Sequence, residues 1–244
     1  MSLQIAPLNK EKHATTKIDV EQAFLHIKEE HIVPVSAHEF VRVGAELPVV
    51  FLKNEKAGAF EAVAMLSLQQ GSNMMVEDGK WLGMYVPRAF RNFPLALMAN
   101  PNDPADKDNL YICVAEGSPM VNTEKGYALF NEDGSQSEFL QKRSEAMADF
   151  LRQMEQTKEF NRTLAELDLL SPQSLTIELD GNKRELTGFY VIDEAKLNQL
   201  DADKFALLRS KGMLPPIYAH LMSLQQVQRL GERQRQLNKT AAAS

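Results

Sequence analysis

At 244 residues, with 44% hydrophobic and 25% charged side chains, the chain has the composition of a soluble globular protein and enough length for a real core. Its formal net charge of −6 gives no electrostatic pull toward nucleic acid or an anionic membrane. A single cysteine, Cys113, excludes an internal disulfide, and no run of about 18 apolar residues offers a transmembrane segment.

The opening "MSLQIAPLNKEKH" lacks a continuous apolar stretch and a small-residue cleavage site, so no Sec signal peptide is expected and the chain reads as cytoplasmic. Ile32 to Val35 predicts a short strand. Ser36 then has the character of a helix N-cap, with Glu39 three residues on completing a capping box, and this helix should end near Gly44. "PVVFLKNEKAGAFEAVAMLSL" predicts two strands around a loop at Asn54 to Gly58. "NMMVEDGKWLGMYV" predicts another pair around Asp78-Gly79, a dipeptide that tolerates positive φ. "LALMAN" and "NLYICVAEG" add two more strands, separated by the polar loop "PNDPADKD".

After a second Asp-Gly turn at Asp133-Gly134, apolar residues from Leu140 to Leu167 recur at intervals of mostly three or four. That spacing is an amphipathic helix, with a candidate break near Thr157. "SLTIELDGNKRELTGFYVI" is a hairpin centred on Asp180-Gly181. "DEAKLNQLDADKFALLRSKG" predicts two short helices, the second ending at Gly212. Pro215 and Pro216 restart the chain into a last helix whose buried stripe should include Ile217, Tyr218, Leu221, Leu224, Val227 and Leu230, with a polar tail expected to fray. The sum is an α+β fold in one domain over 1–244. A mostly antiparallel sheet occupies the N-terminal half, about 30–130, and helices plus one β-hairpin occupy about 136–237.

"WLGMYVPRAFRNFPLALM", residues 81 to 98, places the only tryptophan beside a tyrosine, two phenylalanines, two prolines and two arginines. Pro87 suits the first turn of a helix and Pro94 forbids its continuation, so a two-turn helix clamped at both ends is expected. Arg88 and Arg91 then share one face, while Phe90 and Phe93 share a neighbouring face that enters the core. Such a helix can hold a carboxylate or phosphate, or its arginines can pair with acids of the same chain. His220, in "IYAHLMSLQQVQRL", falls off the apolar stripe and should face solvent or a pocket rim.

Common catalytic patterns do not emerge. Cys113 sits mid-strand, where a small buried thiol is the ordinary explanation. No G-x-S-x-G, G-x-G-x-x-G or phosphate-binding loop occurs. His31, His38 and Glu39 are a poor match to metal-ligand spacing.

Several segments together resemble one family. "VPVSAHEF" followed by "ELPVVF", then "YVPRAFRNFPLAL", "LFNEDGSQSEFL", "FLRQMEQTKEFNRTLAELDLL", "LTGFYVIDEAKLNQL" and "IYAHLMSLQQVQRL" follow the order and approximate spacing of the bacterial SapC-like family, from about residue 7 to 231. Pro87, Arg91, Phe93 and Pro94 match its central motif, whereas Asn92 stands where a second arginine is usual and Arg88 is extra. The resemblance implies a protein encoded near outer-membrane TonB-dependent receptors and flavin-dependent halogenase-like proteins, with a family name that derives from a surface-layer locus.

The expectation is a non-catalytic cytoplasmic binding or accessory protein linked to nutrient uptake or processing. It uses no cofactor or metal, and its partner is a protein or a small-molecule anion. The alternatives are an enzyme of unrecognised type with an arginine- and aromatic-lined pocket, and a surface-layer component. The candidate binding residues are Trp81, Tyr85, Arg88, Arg91 and His220.

Overall fold

A computed structural model describes residues 4–21, 24–54, 57–99, 109–179 and 182–243. It has the expected α+β class, with antiparallel strand pairs through the N-terminal half and helices concentrated in the C-terminal half. Contacts divide the chain into two compact units. The first takes Met1–His26, Asp78–Lys80 and Arg88–Arg152; the second takes Ile27–Glu77, Trp81–Pro87 and Gln153–Ser244.

In the first unit, strand Leu110–Ala115 pairs antiparallel with Ile5–Pro7 on one side and Leu95–Ala99 on the other. A smaller sheet sets Lys17–Ile18 between Val121–Asn122 and Tyr127–Ala128. Ile18, Leu95, Val114, Met120, Leu129, Leu140 and Met147 form the core beneath them. Leu140 and Met147 are seven apart on the helix that starts at Glu138, so they project from one face into that core. Cys113 is buried in the central strand, and burial pushes its thiol pKa up.

The second unit is built on a five-stranded sheet in the order Leu170–Leu179, Asn182–Ile192, Val49–Lys53, Phe60–Met65, Ile32–Pro34. The C-terminal hairpin is therefore no isolated insertion. Its second strand pairs antiparallel with Val49–Lys53, placing Phe189 opposite Leu52 and Tyr190 opposite Phe51. Val50, Val63, Met65, Leu68, Met74, Val191 and Leu230 form the core on this sheet. Two Asp-Gly turns form as their chemistry requires: φ is +49° at Asp78, +74° at Gly79 and +78° at Gly134. The third pair, Asp180-Gly181, lies outside the described residues.

The capping box at Ser36 also forms. The Glu39 carboxylate accepts from the Ser36 amide at 2.9 Å, and helix Phe40–Val43 follows and ends at Gly44. The helix Glu138–Glu166, by contrast, runs unbroken through Thr157, where a break is expected. The Thr157 hydroxyl donates to the Gln153 carbonyl at 2.7 Å and accepts from the Ala37 amide at 2.9 Å, so a part-buried tertiary bond holds a residue of modest helix propensity in place. The last helical region is two helices, Leu214–Ser223 and Gln226–Ala243, the second of which includes the polar tail. No described helix is long and apolar enough to cross a membrane.

Candidate functional site

The segment between Pro87 and Pro94 is shorter in helix than expected. One turn forms, Arg88–Arg91, and none of its residues is fully buried. Pro94 has no amide hydrogen to carry a helix onward, and the chain leaves the helix before a second turn closes. Asn92 instead starts a turn in which its carbonyl accepts from the Leu95 amide at 2.8 Å. Phe93 packs half-buried on the first unit's core and stacks face to face on His26, with ring centroids 3.6 Å apart.

Trp81 and Tyr85 belong to the second unit, where they tie a loop down. Trp81 Nε1 donates to the Tyr85 carbonyl at 3.0 Å. The Tyr85 hydroxyl donates to the Glu39 carboxylate at 3.1 Å, and the Arg42 guanidinium sits 5.7 Å from the Tyr85 ring centre. The Met84 amide donates to both carboxylate oxygens of Glu46, at 2.8 and 3.1 Å. Gly83 makes this approach possible: a Cβ there would lie 2.3 Å from Glu46 Oε2 and 2.8 Å from Trp81 Nε1.

Arg88 and Arg91 belong to the first unit. Arg88 takes the intramolecular option, pairing with Asp149 at 2.7 Å over the Phe150 ring. Arg91 is exposed. Its carbonyl accepts from Nη1 of Arg143, a residue of the long helix. Arg143 lies 5.2 Å from the centre of the Phe139 ring, which stacks nearly parallel on Tyr127 at 4.9 Å. Burial pushes the Arg143 guanidinium below its usual pKa range, and the positive charge of Arg91 pushes it the same way. Arg143 thus meets the backbone of Arg91 at the end of the helical turn, and the charge of Arg91 acts on it. Arg143 escaped the sequence reading, although its spacing of four from Phe139 is the helical signature of a cation over a ring.

His220 corrects the expectation most sharply. It is 0% exposed, and its Nε2 accepts from the Ile192 amide at 3.0 Å in the core of the second unit. Tyr218, expected in the buried stripe, is exposed, whereas Ile217, His220 and Ser223 are buried. The buried face is thus rotated toward two polar side chains that serve strand amides, so apolar periodicity alone mislocates it. Among the described residues, no three His, Cys, Asp or Glu side chains are placed to hold a metal ion.

A family model described as SapC matches residues 8–230. No curated protein and no solved structure matches the chain.

Proposed function

We propose that this chain, which belongs to the SapC family, is a non-catalytic accessory protein of the cytoplasm that holds an anionic group of a small molecule or partner protein at Arg91 and Arg143. The observation that carries this reading is the meeting of Arg143 with Arg91, through the bond from Arg143 Nη1 to the Arg91 backbone carbonyl and the effect of the Arg91 charge on Arg143. Arg143 is held in place by Phe139 and by that bond, so little of its freedom remains to be lost on binding. A carboxylate or phosphate between two such groups relieves their repulsion and accepts charge-assisted hydrogen bonds, which arginine forms in fork geometry. Concentrating two cations at one place in a chain of net charge −6 supports a recognition role over general surface solvation. The setting that the family resemblance implies, beside TonB-dependent receptors and halogenase-like proteins, supports a part in nutrient uptake or processing.

Titration with citrate at low salt, followed through the guanidinium NMR signals, tests this. The Arg91 and Arg143 signals are expected to move together and saturate. A response confined to other arginines, or one that never saturates, contradicts the reading.

A further inference from the structure

The second unit carries a separate cleft of about 450 Å³, between the later half of the long helix and the turn into helix Leu214–Ser223. Its volume falls in the range of small-molecule pockets. The floor is apolar: Phe160, Met213, Pro216 and Ala37. Phe160 is fixed by an edge-to-face contact with Phe40, at 5.9 Å and 86°. Met213 is buried, and its amide bonds the Leu208 carbonyl at 2.9 Å across the turn at Gly212, where φ is +66°. These walls are set by the fold before any ligand arrives.

The rim is polar and balanced in charge. Gln156 and Glu159 come from the helix face that carries Phe160, Lys211 comes from the opposing turn, and His38 from the capping-box segment. Glu159 and Lys211 lie 3.7 Å apart, too far for a good hydrogen bond, so each keeps capacity for a third group. Glu159 also accepts from Arg162. Two candidate polar contacts are already committed: the Thr163 hydroxyl donates to the Glu159 carbonyl at 3.0 Å, and the Ala37 amide is held by Thr157.

We infer that this cleft binds a compact molecule with an apolar body and one polar end that carries no net charge but both donates and accepts hydrogen bonds. The apolar floor takes the body. The loose Glu159–Lys211 pair takes the end, Lys211 donating to it and Glu159 accepting from it. An end of one sign would satisfy one of these groups and oppose the other. This site is independent of Arg91.

Fluorescence titration with N-phenyl-1-naphthylamine, an uncharged apolar probe, tests the inference against its sulfonated relative 8-anilinonaphthalene-1-sulfonate. The uncharged probe is expected to bind saturably at one site and at least about tenfold more tightly than the sulfonate, a difference worth about 1.4 kcal/mol. Gln156→Trp, at an exposed helix position on the rim, should fill the mouth and weaken binding at least tenfold. Gln156→Ala, and Lys158→Trp off the cleft on the same helix, should leave binding within about twofold. Glu159→Gln should tighten the sulfonate by leaving Lys211 unopposed. Absence of saturable binding, or binding indifferent to Gln156→Trp, overturns the site. Tighter binding of the sulfonate to the unmodified protein overturns the uncharged end.

Discussion

Nε2 of His220 lies 3.0 Å from the Ile192 amide and accepts its hydrogen, and three residues further along the same helix Ser223 Oγ accepts from the Val49 amide at 3.0 Å. Ile192 and Val49 sit two residues beyond the Tyr190–Phe51 pair, where strands Asn182–Ile192 and Val49–Lys53 no longer pair. The helix therefore supplies two side-chain acceptors to strand amides that would otherwise be buried unsatisfied. Ser223 also donates to the His220 carbonyl at 2.6 Å, which locks the two together.

Only neutral imidazole can accept at Nε2. Nδ1 then carries the proton and meets no partner at hydrogen-bond geometry, and the nearby Val49 backbone offsets burial only in part. Burial pushes the His220 pKa down to about 4 from 6.5. The unfolded chain takes up this proton through pH 6.5 and the folded chain only near pH 4. The contribution is therefore fully present above pH 6.5 and is lost as pH falls toward 4, by about 3 kcal/mol in all. Urea midpoints across that window should fall accordingly, and His220→Gln, which cannot titrate, should flatten the profile. Parallel profiles for the two proteins would remove His220 as the cause.

Ser223→Ala leaves the Val49 amide without its acceptor and should cost about 1–3 kcal/mol. Equilibrium unfolding measures it, and a change within error would show that the amide finds another acceptor.

Local chemistry was legible in the sequence, and long-range pairing was not. The Ser36–Glu39 capping box, the Asp78-Gly79 and Asp133-Gly134 turns and the buried Cys113 each follow from neighbouring residues. His220 and Ile192 are 28 residues apart, Ser223 and Val49 are 174 apart, and Ala37 and Thr157 are 120 apart. No periodicity reports that a strand amide needs an acceptor from a distant helix, so a buried histidine read as a surface one. Arg91 and the Phe139–Arg143 spacing were open to view. Their meeting depends on how the short turn lies against the long helix, and that is a tertiary fact.

Gly134 isolates a backbone cost. It sits at φ +78°, and beyond its two chain neighbours no atom lies within 4 Å of where a Cβ would be, so Gly134→Val adds conformational strain without a tertiary clash. Stability should drop by about 1 kcal/mol or more in denaturant unfolding. A neutral result would mean that the turn relaxes to another conformation.

Arg88 and Tyr85 should behave as ordinary structural contacts. The Arg88–Asp149 pair is part-exposed, with side-chain exposures of 21% and 38%, so Arg88→Met should cost under about 1 kcal/mol. Tyr85→Phe removes the donor to the buried Glu39 carboxylate and should cost about 1 kcal/mol. Thermal unfolding of both variants checks this, and a loss of several kcal/mol from either would mark it as a keystone of its unit.

The central claim is that Arg91 and Arg143 serve an anion rather than the fold. The decisive measurement is Arg91→Met, scored at once for unfolding free energy and for citrate affinity. Because Arg91 is exposed, stability should stay within about 1 kcal/mol of the parent. Citrate affinity should fall at least about tenfold, or about 1.4 kcal/mol. A stability loss of several kcal/mol, as when a buried internal ion pair is broken, or an unchanged citrate affinity would contradict the account.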